Sequence, residues 1–410
     1  MLRLLRQRDF ALLIAGQAVS DVGDGIFAVA LAWRVYQSYA NPAALSVVGI
    51  AFFLPRLLMI IVGGVVSDRF DRRRTMIAAD TGRGLAVALL ATLSFAGMAE
   101  LIAIASLVAL QGIAGSLFAP SESALLPQLV PAADLGRANS VRTIVTPMAN
   151  AVAGPALGGA VIALRGTQAA FWIDSATYGV SVLTLLLMRG HFVSQREKRR
   201  SVFRDAKEGF AYVAGRPWLW GPILTASLAQ FLFAGPQQSL VPYLVKFELH
   251  ASAGALGIVL ACGGLGTMAA GLVTGRLGTP RHIVTFMILG WASGIGAIAL
   301  LGVAQTVWEA AAAVFIWNLL LWTGEILWLT LLGLTVPNHI RGRVSSIDFL
   351  GSYWLIPLSM ALTGPLATLI GARTVLIGAG VGGAAAILAT LLIPRVRQPV
   401  YLEGKAPATA

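Results

Sequence analysis

Residues 63–76 read GGVVSDRFDRRRTM, with two Asp and four Arg packed into positions 68–74. The stretches beside it, AALSVVGIAFF upstream and LAVALLATLSF downstream, carry no charge. The whole chain is only 12% charged, about half of what a soluble protein of ordinary composition carries. Such a knot between two long apolar runs reads as a turn at a membrane surface, where two helices leave the hydrocarbon.

The pattern repeats outward in both directions. Of 410 residues 57% are hydrophobic and 45 are glycine. Many runs reach the ~20 residues that an apolar helix needs to cross a bilayer. Gly and Pro are tolerated inside such helices because neighbours satisfy the backbone groups they free. Apolar runs between charged or Pro/Gly breaks predict twelve spanning helices, near 10–34, 43–66, 74–97, 101–121, 139–164, 168–189, 217–244, 253–275, 282–304, 307–332, 344–370 and 373–394. The expected fold is an all-α membrane protein.

An even number of spans puts both termini on one side. With the termini inside, the outer ends hold only Arg34, Arg165, Lys246 and Arg373, and Arg56 and Arg83 fall within spans, leaving 24 of the 30 basic residues inside. The positive-inside rule therefore orients both termini to the cytoplasm. It also accounts for the net charge of +12 without a nucleic-acid partner. MLRLLRQRDF leads into a segment that holds Asp21 and Asp24, which does not suit the apolar stretch of a signal peptide. The single cysteine, Cys262, leaves no intrachain disulfide and reads as a packing residue.

The two halves echo each other. PAADLGRANS at 131–140 and PNHIRGRVSS at 337–346 share P-x-x-x-x-G-R-x-x-S, and Gly154-Pro155 returns as Gly364-Pro365. Gly49-Ile50 returns as Gly257-Ile258, and Gly63 as Gly271. The near-constant offset implies duplication, giving domains at 1–190 and 217–396. Between them lies a cytoplasmic linker at 191–216, with Phe203, Ala206, Phe210 and Val213 spaced for a helix on the membrane surface. A cytoplasmic tail follows at 397–410. Internal repeats of this kind are a signature of secondary transporters, with the substrate site between the repeats.

Gly64, Asp68, Arg69, Arg72 and Arg73 fit G-x-x-x-D-R-x-x-R-R, and this signature in the turn after a second span resembles that of the major facilitator superfamily. GPALGG at 154–159 resembles that family's exporter-associated Gly-Pro motif. Stretches such as VSDVGDGIFAVALAWRVY, FLPRLL and LFAPSESALLPQLVP are most similar to its macrolide-efflux, multidrug-efflux and enterobactin-exporter-like members. The resemblance spans residues 8–395. It implies two pseudo-symmetric six-helix bundles in a bacterial-type inner membrane. It further implies a latch on the cytoplasmic face, made by Gly64, Asp68, Arg69, Asp71, Arg72, Arg73 and Glu122 with Arg343 at the start of the eleventh span. Four Arg also simply obey the positive-inside rule, but Asp68 gains nothing from that rule. Two positions depart from the pattern. Asp71 stands where the family often has Gly, adding an anion able to pair with an Arg. Proton-coupled exporters often carry an Arg shortly before a Gln-Gly pair in the fourth span, but Gln111-Gly112 here follows Leu107, Val108 and Ala109.

Charges in hydrocarbon are costly, which makes them functional candidates. Asp21 and Asp24 lie about 17 and 21 Å from the inner end of the first span, and Arg56 about 17 Å into the second, at 1.5 Å per residue. Burial and a nearby guanidinium push a carboxyl's proton affinity in opposite directions. An Asp–Arg contact among these three that alternates between such surroundings can couple protons, with Asp24 ahead of Asp21. Arg83 reads as a local partner of Asp80, and Glu122 as a partner of Arg69 or Arg72. Gly154, Pro155, Gly158 and Gly159 form a hinge or tight seam. Gln111, Asp174, Gln230, Phe231, Gln237, Gln238 and Glu325 are weaker candidates for a substrate cavity, and Asp174 and Glu325 are equally read as satisfied by a Ser, Thr or Trp neighbour.

No G-x-x-x-x-G-K-[ST] loop is present, and His191, His250, His282 and His339 all fall at membrane edges, so neither an ATP-driven pump nor an enzyme is expected. No cofactor or metal is expected. The expected activity is secondary export of lipophilic or amphiphilic, drug-like small molecules by alternating access, in exchange for protons, by a monomer. The alternatives are a siderophore or lysophospholipid exporter, a solute-uptake permease, or a non-transporting receptor.

Overall fold

A computed structural model describes residues 6–131, 134–189 and 202–397, apart from the side chains at 60–65, 67–69, 202–206, 338, 339, 395 and 397. The described residues are helical almost throughout. Ten helices are long and apolar enough to span a membrane. One of these, 135–187, turns back at Gly166 and supplies two crossings, and an interrupted helix over 217–248 adds another. The molecule is a twelve-helix, multi-pass membrane protein with two pseudo-symmetric six-helix halves.

The first half opens with α1 (Arg8–Ser38), α2 (Pro42–Arg69), α3 (Arg72–Phe95) and α4 (Leu101–Leu129). Then α5 (Leu135–Pro147) runs through a π-helical segment, Met148–Ala153, into α6 (Gly154–Leu187). Gly166 takes φ 80°, ψ 173° inside α6, a left-handed value open to glycine and costly for other residues. Here the fifth span becomes the sixth. In the second half, α7 (Val202–Ala214) precedes α8 (Pro217–Gly235), whose path continues through π segments Pro236–Leu240 and Leu244–Glu248 with α9 (Val241–Tyr243) between them. Then come α10 (Ala253–Leu277), α11 (Ile283–Gly296), α12 (Ala299–Val303), α13 (Val307–Thr335), α14 (Asn338–Tyr353), α15 (Ile356–Ile370) and α16 (Ala372–Ala389).

The duplication seen in sequence has a backbone counterpart. Gly371, with φ 87°, turns the eleventh span into the twelfth as Gly166 turns the fifth into the sixth. Both the fifth and eleventh spans are interrupted a few residues ahead of a Gly-Pro pair, by the π turns at Met148–Ala153 and by the break between α14 and α15. A π turn leaves a helix locally irregular, which neighbours must compensate.

By internal contacts the chain forms two compact units, 1–197 with 245–261, and 198–244 with 262–410. The spatial boundary therefore assigns Val245–Ala261, the end of the seventh span and the start of the eighth, to the first unit, although it lies in the second half of the sequence. In this unit α1 lies along α6, α2 along α4, and α3 between α4 and α6. Near the charged turn the packing is apolar, with Phe10, Leu13, Met76, Phe118, Leu125 and Leu185 buried in one cluster. Leu58, Leu164, Phe95 and Ile102 are exposed, as befits side chains that face hydrocarbon. In the other unit α11 and α16 pack together, α13 lies along α11, and α8 contacts α14, α15 and α16. The linker helix α7 packs on α14. Val213 is buried there, whereas Phe210 is exposed.

Candidate functional site

The charged residues of the first half converge on Arg83 of α3. Its Nη2 donates to both Asp24 oxygens, at 2.9 and 2.8 Å. Its Nη1 donates to Asp80 Oδ1 at 3.2 Å, one turn away on the same helix. Its Nε reaches Gln111 Oε1 of α4 at 3.4 Å. Tyr178 of α6 closes the ring from the other side. Its hydroxyl donates a short hydrogen bond to Asp24 and lies 3.3 Å from Gln111 Oε1, and its ring lies 4.4 Å from the guanidinium carbon. Ser181 donates to the second oxygen of Asp80 at 2.6 Å. Five hydrogen bonds, three of them from the guanidinium itself, thus hold the two carboxylates, the geometry in which a desolvated ion pair is sustained.

The site opens at Asp24. The Asp24 side chain is 28% exposed, against 13% for Arg83 and none for Asp80. Close helix contact makes room for it. A Cβ on Gly84 would sit 3.2 Å from Tyr178 Cβ, and Gly23 leaves space for Asp174 and Thr177. Asp174 is fully buried, with Thr177 as its local donor at 3.5 Å and its Oδ2 without a partner.

Arg56 does not take part in this pairing. Asp24 belongs to Arg83, because α3 is wedged between α4 and α6 at the depth of Asp24 while α2 packs on the far side of α4. Arg56 is exposed, with its guanidinium 5.6 Å from the Phe52 ring. Asp21 faces the π-helical segment. Its side chain lies beside Thr146 of α5, and its carbonyl accepts from Asn150 at 3.3 Å. Arg83 pairs with two carboxylates where the sequence suggested only Asp80. The guanidinium missing ahead of Gln111-Gly112 in α4 is supplied from α3, against the same Gln111.

At the charged turn, Asp71 caps α3 by accepting from the Arg74 backbone N–H at 2.8 Å rather than pairing with an Arg side chain. Arg72 donates to the Ala124 carbonyl at 3.0 Å. Arg73 donates to Leu185 and Leu186 carbonyls at 2.6 and 2.7 Å. These bonds satisfy helix-end carbonyls and favour the negative end of the helix dipole. Glu122 pairs with Arg142 of α5 at 2.8 Å, while Arg72, one of the two partners expected for it, is engaged with the Ala124 carbonyl. Arg343 meets Glu208 of the linker helix at 2.8 Å. Gly64, Asp68 and Arg69 lie on α2, with side chains outside the described residues.

The Gly-Pro stretch forms a seam inside the first unit. A Cβ on Gly154 would stand 2.7 Å from Gly25 Cα and Val22 O, and one on Gly158 2.9 Å from Ile26 Cα. Gly159 abuts Gly254 and Gly257, its Cβ position 3.0 and 3.1 Å from their Cα atoms. Pro155 is buried beside them.

In the second half, Glu325 of α13 lies beside Trp291, and Asp348 of α14 accepts from Trp328 Nε1 at 3.0 Å and Ser352 at 3.4 Å. Gln230 lies beside Tyr353. Phe231 and Gln237 are half-buried and Gln238 is exposed, on either side of buried Phe233. Asp348 and Tyr178 were missed in the sequence. Asp348 follows RGRVSS and looks like part of a cytoplasmic turn, and a lone Tyr in an apolar helix gives no signal. Arg142 looked like one more inner-surface cation.

A duplicated bundle of spanning helices with a charge cluster in its membrane layer defines a polytopic membrane transporter. The chain belongs to the major facilitator superfamily, whose family model matches residues 13–360. It is 28% identical to the uncharacterised MFS-type transporter YfiS of Bacillus subtilis (strain 168), over 89% of this chain and 88% of that one. It is 26% identical to the multidrug efflux pump Tap of Mycolicibacterium fortuitum, over 95% of each. Its fold matches the crystal structure of the nucleoside transporter NupG with a TM-score of 0.75 at 12% identity, over 94% of this chain and 98% of that one. The protein is a transporter, not an enzyme.

Proposed function

We propose that this transporter exports hydrophobic or amphiphilic, drug-like compounds by alternating access, in exchange for protons. The observation that carries the reading is the Asp24–Arg83 ion pair in the membrane layer, closed by Tyr178 and Gln111 yet open at Asp24. A proton on Asp24 would neutralise one arm of the pair and release Arg83 toward Asp80, so protonation and the side-chain bridge from α1 to α3 are linked. Asp21, one turn away from Asp24 on α1, completes the coupling group. The similarity to a multidrug efflux pump supports export.

The signature turn, with Gly64, Asp68, Arg69, Asp71, Arg72, Arg73 and Glu122, acts in a latch of the cytoplasmic face, and Arg343 with Glu208 fastens the corresponding end of the second unit. Gly154, Pro155, Gly158 and Gly159 act as the seam about which α1 and α6 move. Gln111 in the first unit, and Gln230, Phe231, Gln237, Gln238 and Glu325 in the second, are the candidate cargo-contacting groups of each unit, whereas Asp174, fully buried, is a packing residue. The protein works as a monomer in the bacterial inner membrane, both termini in the cytoplasm.

The test is proton movement in proteoliposomes with an inside-acid gradient, on adding macrolides, cationic dyes, catecholate siderophores or lysolipids in turn. A compound that collapses the gradient with the wild type and not with Asp24→Asn or Asp21→Asn supports proton exchange. Compounds that move while the gradient persists would sink it and leave a facilitator or flippase.

A further inference from the structure

Arg56 is the charged side chain of the first half that the ion-pair network leaves over. Among the described residues it makes no hydrogen bond and no ion pair, and its guanidinium stands 5.6 Å from the Phe52 ring. The carboxylates around it are taken. Asp24 and Asp80 are held by Arg83, Asp174 lies inside the bundle against Thr177, and Asp21 lies beside Thr146 of α5. Asp68, the next acid along α2, is twelve residues away, about 18 Å along the helix.

The position of Arg56 on α2 shows what it faces. Leu54 and Leu58 are exposed, one turn apart, and mark the lipid side of the helix. Arg56 lies two residues from each, which turns it about 200° away around a helix with 3.6 residues per turn. Its Cβ is 3.5 Å from where a Cβ on Gly112 of α4 would sit, and Gly112 itself abuts the Phe52 carbonyl. The guanidinium is within electrostatic reach of Asp24 and Arg83. Arg56 is therefore exposed on the protein side of its helix, at the depth of the ion-pair network. A guanidinium stays charged under all ordinary conditions, and an intramembrane charge without a partner faces water or a ligand.

We propose that Arg56, with Phe52 beside it, recognises an acidic group on the cargo, so that the compounds carried include amphiphilic organic anions such as aryl or acyl carboxylates. A guanidinium binds a carboxylate through two parallel N–H donors, and the ring at its side offers a surface to the apolar part of the same molecule. The inside-negative potential of a bacterial membrane also drives an anion outward, so this chemistry suits export. The inference rests on the transporter reading above and narrows its substrate class.

Three fluorescent probes with one aromatic body test it: 1-pyrenebutyrate, 1-pyrenebutanol and 1-pyrenebutylamine. Binding is measured to the full chain in nanodiscs, with empty nanodiscs subtracted. The wild type is expected to bind the acid about tenfold more tightly than the alcohol, the gain of one charge-assisted pair, and the amine most weakly. Arg56→Gln should remove the preference for the acid, and Arg56→Lys should keep part of it as a point charge. Equal affinity for acid and alcohol, preference for the amine, no binding of any probe, or a preference that survives Arg56→Gln would each overturn the proposal. The wild-type comparison stands even if the Gln variant does not fold. Export of neutral or cationic compounds alone would leave the exporter reading intact and refute this one. Selective binding of the acid with no compound moved in vesicles would do the reverse.

Discussion

Arg83 holds the first half together at one point, and its removal has a predictable cost. Arg83→Gln strands Asp24 and Asp80 in the membrane layer, and breaking a buried pair costs about 3–5 kcal/mol. The detergent-solubilised variant should melt well below the wild type. Arg83→Lys should recover little, because one ammonium cannot donate to Asp24, Asp80 and Gln111 together or stack on Tyr178. A melting temperature within a degree or two of the wild type in either variant would show that the network carries no stability. Tyr178→Phe is gentler. It keeps the ring over the guanidinium and removes the hydroxyl that bonds Asp24, a hydrogen bond to a charged group worth about 1.5–3 kcal/mol. It should slow proton-coupled transport with modest loss of stability, and unchanged transport would remove Tyr178 from the coupling group.

At the scale of the helix, glycines decide how closely α1 and α6 approach. Gly158→Leu would place a side chain onto Ile26 Cα and O, 2.9 and 3.2 Å from its first carbon. Helix backbones cannot yield to that as a flexible side chain can, and overpacking costs about 1–3 kcal/mol or more. Gly179, in the sixth span beyond the turn at Gly166 and with nothing within 4 Å of its Cβ position, is the control. Gly179→Ala should be neutral or stabilising by up to about 1 kcal/mol. Melting curves of the two variants that coincide would refute the seam. The signature arginines act at this scale too. Arg72 and Arg73 fasten the ends of α4 and α6, and Arg341 does the same for α13 through the Gly333 and Val336 carbonyls.

For the whole molecule, proton exchange ties cargo distribution to the pH difference across the membrane. Each unit of pH supplies about 1.4 kcal/mol per proton. In energised inside-out vesicles, collapsing the pH difference with nigericin should therefore lower the accumulation of an exported compound about tenfold per unit lost, for one proton per cycle. Asp24→Asn vesicles should show no response to nigericin. Accumulation that ignores nigericin in the wild type would mean that protons are not the coupled ion.

What the sequence determined by itself follows from quantities that are local along the chain. Span length and apolar composition gave twelve crossings, because backbone groups in hydrocarbon must be satisfied within the helix. The repeat was legible in Gly154-Pro155 and Gly364-Pro365, and the intramembrane charges Asp21, Asp24, Arg56 and Arg83 stood out against their surroundings. Which charge meets which was decided by helix packing alone. Asp24 and Arg83 are 59 residues apart, and an apolar span gives no phase that tells which face turns inward when all faces are apolar. Only the placement of α3 between α4 and α6 takes Asp24 to Arg83, leaves Arg56 over, and supplies from α3 the guanidinium that α4 lacks beside Gln111. Glu122 likewise found Arg142 through the approach of α5, and Val245–Ala261 joined the first unit because glycines at 159, 254 and 257 let two backbones touch. The chain encodes its helices residue by residue, whereas ion pairs and seams depend on side chains that become neighbours only after the helices pack.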